Sequence, residues 1–136
     1  MKITRIDHLG IAVKDLEPVK KLYGEGLNLT LHHEEVVESQ KVRVCFFKVG
    51  ETNLELLLAT SPDSPVAKFI DKNGEGIHHI ALEVDDIAAA VEELKAAGVR
   101  MVDDKPREGA HGAQVAFIHP KSTHGVLIEL CQHRPK

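Results

Sequence analysis

The sequence predicts an α+β fold: two tandem βαβββ modules forming a curved, cavity-lining mixed sheet with helices packed on the outside. Three observations predict it. First, Ile6-Asp7-His8-Leu9-Gly10-Ile11-Ala12-Val13 and Ile77-His78-His79-Ile80-Ala81-Leu82-Glu83-Val84 share one plan. Each sets a histidine and small residues on one strand face and large apolar residues on the other, at an offset of 71 residues. Second, the offset persists downstream, where Val44 and Phe46 map onto Val115 and Phe117, and Arg43 onto Gln114. Third, Leu54-Glu55-Leu56 matches Ile128-Glu129-Leu130 at an offset of 74, so the second copy is three residues longer. The extra residues fall in the loop His119-Pro120-Lys121-Ser122-Thr123-His124-Gly125. An enlarged loop on one copy of a duplicated module is a natural place for ligand-specific contacts.

In chain order, residues 6–13 form the first strand. Leu16, Val19, Leu22 and Tyr23 then recur at helical spacing, with Asp15 as cap, Pro18 in the first turn, and Gly24 and Gly26 as the stop. Residues 30–37 read as a strand with an exposed polar edge, and 42–49 as a strand after the turn-like Ser39-Gln40-Lys41. Gly50-Glu51-Thr52-Asn53 is a hairpin turn into the strand 54–59. Ser61-Pro62-Asp63-Ser64-Pro65 breaks the pattern twice, and a short helix over 66–72 turns Val66, Phe69 and Ile70 inward.

The second module repeats this order. Strand 77–84 leads into a helix marked by Ile87, Val91 and Leu94, with Asp85 or Asp86 as cap and Gly98 as stop. A short strand over 99–102, a long loop over 105–112, and strands over 113–118 and 126–131 complete it. The chain is thus read as one domain over 1–136, with module 1 over 4–60, a linker over 61–75 and module 2 over 76–132.

Composition bounds the function. Of 136 residues, 17 are basic and 21 acidic, a formal net charge of −4, so no bulk basic surface points to nucleic acid or membrane. There is no signal-peptide pattern and no apolar run long enough for a membrane span, so the chain is expected in the cytoplasm. Cys45 and Cys131 lie within apolar strand patterns and read as buried free thiols.

Sorting the strands by alternation puts Leu9, Ile11, Val13, Val44, Phe46, Leu54, Leu56 and their counterparts in module 2 on a helix-covered face. The other face then carries His8, Gly10, Ala12, Arg43, Cys45, Glu55, His79, Ala81, Gln114, Ala116 and Glu129. Small residues around two histidines and two glutamates point to a cavity with a ligand set. Taken singly, a strand histidine is more often a hydrogen-bonded structural residue and a strand glutamate more often solvated; recurrence in both copies favours a shared metal site. His78 falls on the apolar face and reads as structural, and His32, His33 and His133 read as surface residues. His111, His119 and His124 sit in loops near the mouth. Two imidazoles and two carboxylates suit Co²⁺, Ni²⁺, Mn²⁺, Fe²⁺ or Zn²⁺ better than Mg²⁺ or Ca²⁺.

Over nearly its whole length the chain resembles the vicinal oxygen chelate superfamily, and more narrowly the methylmalonyl-CoA epimerase family. The motifs that carry the narrower resemblance are Asp63-Ser64-Pro65-Val66-Ala67-Lys68-Phe69, Gly76-Ile77-His78-His79-Ile80, Gly109-Ala110-His111-Gly112, His119-Pro120-Lys121-Ser122 and Gly125-Val126-Leu127-Ile128-Glu129-Leu130. The resemblance implies a metal bound by His8, His79 and Glu129 with Glu55 as fourth ligand, a homodimer, an acyl-CoA substrate and a role in propionyl-CoA metabolism. The reaction it implies removes the proton at C2 of methylmalonyl-CoA, between a thioester and a carboxylate. Glu129, with Glu55 as its counterpart for the opposite face, is then the expected proton-transfer carboxylate.

One carboxylate used as a base in relatives lies on the strand that here reads Val42-Arg43-Val44. Arg43 cannot be that base. Arg43 and Gln114 are therefore expected at the substrate, and Lys121 at a CoA phosphate ahead of Arg107 and Lys105. The nearest rivals are a glyoxalase I-type lyase, a ring-cleaving oxygenase and a metal-free small-molecule-binding protein of the same fold. His119-Pro120-Lys121-Ser122 disfavours the first, chain length the second and retention of all four ligands the third.

Overall fold

Strand β1 (Ile3–Ala12) is divided between two compact units, and the division falls at a histidine. The structure, a computed structural model, describes residues 1–133. One unit comprises residues 8–78; the other comprises residues 1–7 and the chain from His79 onward. Strand β5 (Gly76–Val84) changes unit in the same way at His79.

In the unit of residues 8–78, α1 (Leu16–Lys21) is followed by β2 (Thr30–Val37), β3 (Val42–Val49), β4 (Thr52–Ala59) and α2 (Pro65–Asn73). The strand order is β2-β3-β4-β1. β3 runs antiparallel to β2 and β4, and β1 lies parallel to β4 with Gly10 beside Glu55. The other unit holds α3 (Ile87–Ala96), β6 (Arg107–Glu108), β7 (Gln114–Ile118) and β8 (Ile128–Gln132) in the strand order β5-β8-β7-β6. Here β5 lies parallel to β8 with Ala81 beside Glu129, the counterpart of Gly10 beside Glu55. The start of β1 runs along β5: Asp85 N donates to Lys2 O at 3.2 Å, and Thr4 Oγ1 to Glu83 O at 3.3 Å. Both copies thus show the βαβββ plan.

The helices form where capping and periodicity agree. Asp86 accepts from Ala89 N at 3.1 Å, and Ile87, Ala90 and Val91 pack on Val84, Ala116, Ile118 and Leu130. Gly98 ends this segment at φ +82, a conformation that favours glycine. Ser64, fully buried, accepts from Val66 N at 3.2 Å and donates to Gln40 O at 3.3 Å, tying the linker to module 1. Asp15 occupies the N-cap of α1 but makes no side-chain cap bond. The first helix reaches its expected stop at Gly26, but not as a regular α-helix. It continues as a π-helical turn over Leu22–Gly26, closed by Leu27 N on Leu22 O at 2.8 Å, which keeps Tyr23 against Phe47 with ring centroids 5.6 Å apart.

The strand expected over 99–102 is reduced to a single bridge, Met101 with Ile118, plus a bond from Val102 N to Phe117 O at 2.9 Å. The ladder breaks because Asp103 Oδ2 takes Phe117 N at 2.8 Å and Pro106 has no N–H; pairing restarts at β6, inside the expected loop.

The faces of β3 and β7 are the reverse of the sequence expectation. Phe46 pairs with Glu55 and Val44 with Leu57, whereas Arg43 pairs with Leu58. Residues opposite one another in a ladder share a face. Cys45 and Phe47, not Val44 and Phe46, therefore join Val13, Leu16 and Leu56 under α1. In module 2, Phe117 pairs with Glu129 and Val115 with Cys131, while Ala116 and Ile118 face α3. Both strands are apolar on both faces, so alternation alone carries no phase. Pairing with β4 and β8 sets it.

Candidate metal centre

In module 1 the parallel ladder sets Gly10 beside Glu55, and His8, two residues before Gly10, shares their face. His8 Nδ1 lies 3.0 Å from Glu55 Oε2. The two residues are only 7% and 4% exposed, and Phe46 and Val44 wall them on the neighbouring strand. Module 2 builds the same arrangement from β5 and β8: His79 Nε2 lies 3.9 Å from Glu129 Oε1, at 6% and 4% exposure. The His79 ring stands edge-on to Phe117, centroids 5.5 Å apart.

Each unit thus buries one imidazole and one carboxylate against an apolar wall. A buried carboxylate is costly unless it is paired or ligates a cation. One nitrogen and one oxygen donor per module give a mixed donor set that fits a borderline divalent transition metal and does not favour Mg²⁺ or Ca²⁺.

A second cluster lies in the unit that contains module 2. Potential ligand atoms of Asp7, Cys131 and His133 lie within 4.8 Å of one another. Asp7 is already engaged by Arg5 at 3.1 Å and by His133 at 2.6 Å. Burial, reinforced by the Asp7 and Glu129 charges, pushes the Cys131 thiol well above its ordinary range. The trio is an internal ion-pair network that ties the end of the described chain to β1, and its thiol stays protonated.

The expected substrate contacts fare differently. Arg43 and Gln114 do not reach the carboxylate faces. Arg43 lies on the Leu58 side and bonds Glu34 at 3.1 Å, and Gln114 pairs with Gln132 on the Leu130 side. Lys121 is exposed on a turn over Pro120–Ser122. Lost hydration and the charges of Arg100 and Lys121 hold His119 below its ordinary pKa, so the imidazole is kept neutral beside two cationic side chains.

Two further polar groups lie on the carboxylate faces: Arg107, ranked behind Lys121 for a CoA phosphate, and Glu35, which the sequence did not single out. Arg107 pairs with Val115, on Glu129's face, with its guanidinium 5.6 Å from the Phe117 ring centroid and its Nε 2.8 Å from Asp103. Glu35 pairs with Val44, on Glu55's face, and its Oε1 is 3.0 Å from His33 Nε2. His33, expected at the surface, is half-buried against Phe46, ring centroids 5.2 Å apart. His133 is likewise half-buried rather than a surface residue, and His78 packs edge-on to Phe69 as its apolar face suggests.

Comparison with known proteins identifies the family. Residues 7–117 match the Glyoxalase/Bleomycin resistance protein/Dioxygenase superfamily. An ethylmalonyl-CoA/methylmalonyl-CoA epimerase of Cereibacter sphaeroides is 42% identical over 132 residues, covering 96% of this chain and 98% of that protein. The mitochondrial methylmalonyl-CoA epimerase of Homo sapiens is 42% identical over 129 residues, covering 94% of this chain and 73% of that protein. The solved structure of a variant of Streptomyces coelicolor methylmalonyl-CoA epimerase in complex with 2-nitronate-propionyl-CoA superposes with a TM-score of 0.93 at 42% identity, covering 96% and 95% of the two chains. With a duplicated βαβββ plan, a histidine and glutamate in matching places of each copy, and this similarity along almost its whole length, the chain belongs to the Glyoxalase/Bleomycin resistance protein/Dioxygenase superfamily, in the group that contains the methylmalonyl-CoA epimerases.

Proposed function

We propose that this protein interconverts the (2R) and (2S) epimers of methylmalonyl-CoA by moving the proton at C2. The carrying observation is the pair of buried His–Glu couples at matched positions, His8 with Glu55 and His79 with Glu129, in a chain this similar to epimerases. His8, Glu55, His79 and Glu129 would hold one divalent cation, Co²⁺ by preference, with Ni²⁺, Mn²⁺, Zn²⁺ or Fe²⁺ as alternatives. When bound, such a cation supplies positive charge that stabilises an enolate at the thioester.

The chain's own residues do the rest. Deprotonation at C2 leaves an enolate whose charge is shared between C2 and the thioester oxygen, and the apolar walls of Phe46, Val44, Phe117 and Val115 keep bulk water from competing for it. Glu129 is the proton-transfer group on one face of C2; the opposite face, for which the sequence names Glu55, needs a second such group. Arg107, over Phe117, supplies a cation for the substrate carboxylate, where the sequence alone offered Arg43 as a substrate contact. Lys121, with Arg100 and His119 beside it, is suited to the CoA phosphates. The working protein in this reading is a cytoplasmic homodimer acting in propionyl-CoA metabolism.

The test is to incubate metal-loaded protein with each epimer in D₂O and follow C2 by proton NMR, with an EDTA-treated control. Metal-dependent deuterium entry with appearance of the opposite epimer is the expected result. Absence of exchange, with turnover of the methylglyoxal–glutathione hemithioacetal instead, would move the assignment to a glyoxalase.

A further inference from the structure

Strand β2 carries a bulge that sorts two neighbouring glutamates onto opposite sheet faces. Leu31 pairs with Phe47, but the next pair is His33 with Phe46, so His32 is an extra residue. An unbroken ladder would put Glu34 opposite Val44 and turn Glu35 toward the helix side. With the bulge, Glu34 pairs with Cys45 and Glu35 with Val44. Bulges re-aim side chains in this way and are enriched beside active sites.

The two carboxylates consequently meet different chemistry. Glu34 lies between Lys20 at 3.0 Å and Arg43 at 3.1 Å, and the Lys20 hydrogen bond holds its carboxyl below the usual range. An acid so paired is a weak base. Glu35 shares the face of Val44, Phe46 and Glu55 and meets His33 Nε2 at 3.0 Å. Its side chain is 28% exposed. Glu55, by contrast, is buried and engaged by His8 at 3.0 Å. The duplication sharpens the difference. β6 is the counterpart of β2, and the residue opposite Val115, which repeats Val44, is Arg107. One position in the repeat thus carries a carboxylate in module 1 and a guanidinium in module 2. Inversion at a carbon flanked by a thioester and a carboxylate needs that division, a proton acceptor on one side and an anion-holding group elsewhere.

We propose that Glu35, oriented by His33, is a catalytic proton-transfer residue and serves the face of C2 opposite Glu129 in place of Glu55. This rests on the epimerase reading given above. In one direction the Glu35 carboxylate takes the C2 proton, and the C–H electron pair passes into the thioester as the enolate. Protonated Glu129 then returns a proton to the other face. In the reverse direction the two exchange roles, so no oxidant or further reactant is needed. His33 is a positioning residue, since it acts through Glu35.

The experiment compares wild type, Glu35→Gln and Glu35→Asp, all metal-loaded, with each epimer in D₂O. Metal content and thermal melts are measured alongside. If Glu35 transfers the proton, Glu35→Gln slows inversion by about 100-fold or more. It retains deuterium entry, with retained configuration, from the epimer that Glu129 deprotonates. Glu35→Asp recovers part of the inversion, and His33→Gln, which keeps a donor, lies closer to wild type in kcat than His33→Ala, with KM unchanged. Inversion by Glu35→Gln within about threefold of wild type would overturn the proposal. Equal loss of inversion and of exchange from both epimers would also overturn it, because a structural or binding role predicts that pattern. If Glu35→Gln does not fold, Glu35→Asp decides by the same asymmetry between exchange and inversion. Failure of the epimerase reading is separately visible, as wild type would then exchange neither epimer.

Discussion

Phe46 stands opposite Glu55 across the β3–β4 ladder, and with that pairing Arg43 lies on the other face of the sheet. Arg43 instead bonds Glu34 at 3.1 Å with its side chain 44% exposed. An exposed pair of this kind contributes little, so Arg43→Ala should change stability by less than about 1 kcal/mol. It should leave kcat/KM within about twofold of wild type. Urea unfolding and steady-state epimerisation check both. A loss of tenfold or more would mean that Arg43 reaches the substrate despite its place on the Leu58 face.

Arg107 and Lys121 should behave otherwise. A charge-assisted contact to a bound anion is worth about 1.5–3 kcal/mol, or roughly a 10- to 100-fold change in binding. If the contact is equally strong in the ground and transition states, its loss raises KM and spares kcat. Arg107→Ala should therefore raise KM for methylmalonyl-CoA by about tenfold with kcat within about threefold. Lys121→Ala should raise KM for the CoA thioester more than for a pantetheine analogue that lacks the phosphates. An equal rise for both would place Lys121 away from them.

The paired His–Glu couples predict stoichiometry. If both contribute to one centre, His8→Ala and His79→Ala should each reduce bound metal to below about a tenth of the wild-type content by elemental analysis. Addition of Co²⁺ should raise Tm in wild type and much less in either variant, because a ligand stabilises only the state that binds it. Loss of metal in one variant with full retention in the other would assign the site to a single module.

Much of this molecule is legible in the repeat. His8, Glu55, His79 and Glu129 share matched positions, and the ladders set Gly10 beside Glu55 and Ala81 beside Glu129 as the offsets of 71 and 74 require. The sheet phase of β3 and β7 is not legible, because Val42, Val44, Cys45, Phe46 and Phe47 are all buried and alternation cannot rank them. The role of Glu35 was hidden for a different reason. His32-His33-Glu34-Glu35 is polar at both phases of the strand, and only the inserted residue at His32 determines which glutamate shares a face with Glu55. The strand over 99–102 misled because its apolar residues pack with α3 without completing a ladder: Val99 and Met101 join that core while Asp103 takes the next donor of β7.

Both thiols are buried, and each has carboxylates among the charges that act on it. Burial, reinforced by the Glu34 charge, pushes Cys45 up to about 12, and burial raises Cys131 as well. The thiolate is the reactive form, so neither should react with a thiol-specific disulfide reagent in the folded protein at neutral pH. Two equivalents should react once urea unfolds the chain, at the rate of unfolding. Rapid reaction of one equivalent in native buffer would show that one of these strands opens locally.

His133 predicts how stability varies with pH. The hydrogen bond to Asp7 at 2.6 Å, opposed by partial burial and supported by the Asp7 charge, raises its pKa above the ordinary value of 6.5. For a cation whose folded pKa is raised, the stabilisation is fully present below the unfolded pKa and is lost as pH rises through the folded one. The difference in unfolding free energy between wild type and His133→Gln should therefore be largest at about pH 6, of the order of 1 kcal/mol after allowing for solvent screening of a half-exposed ring. It should shrink toward the value of a neutral hydrogen bond by about pH 9. Urea titrations of both proteins across that window measure it. A difference independent of pH would mean that His133 stays neutral in the folded state and that Arg5, 3.1 Å from Asp7, alone balances the Asp7 charge.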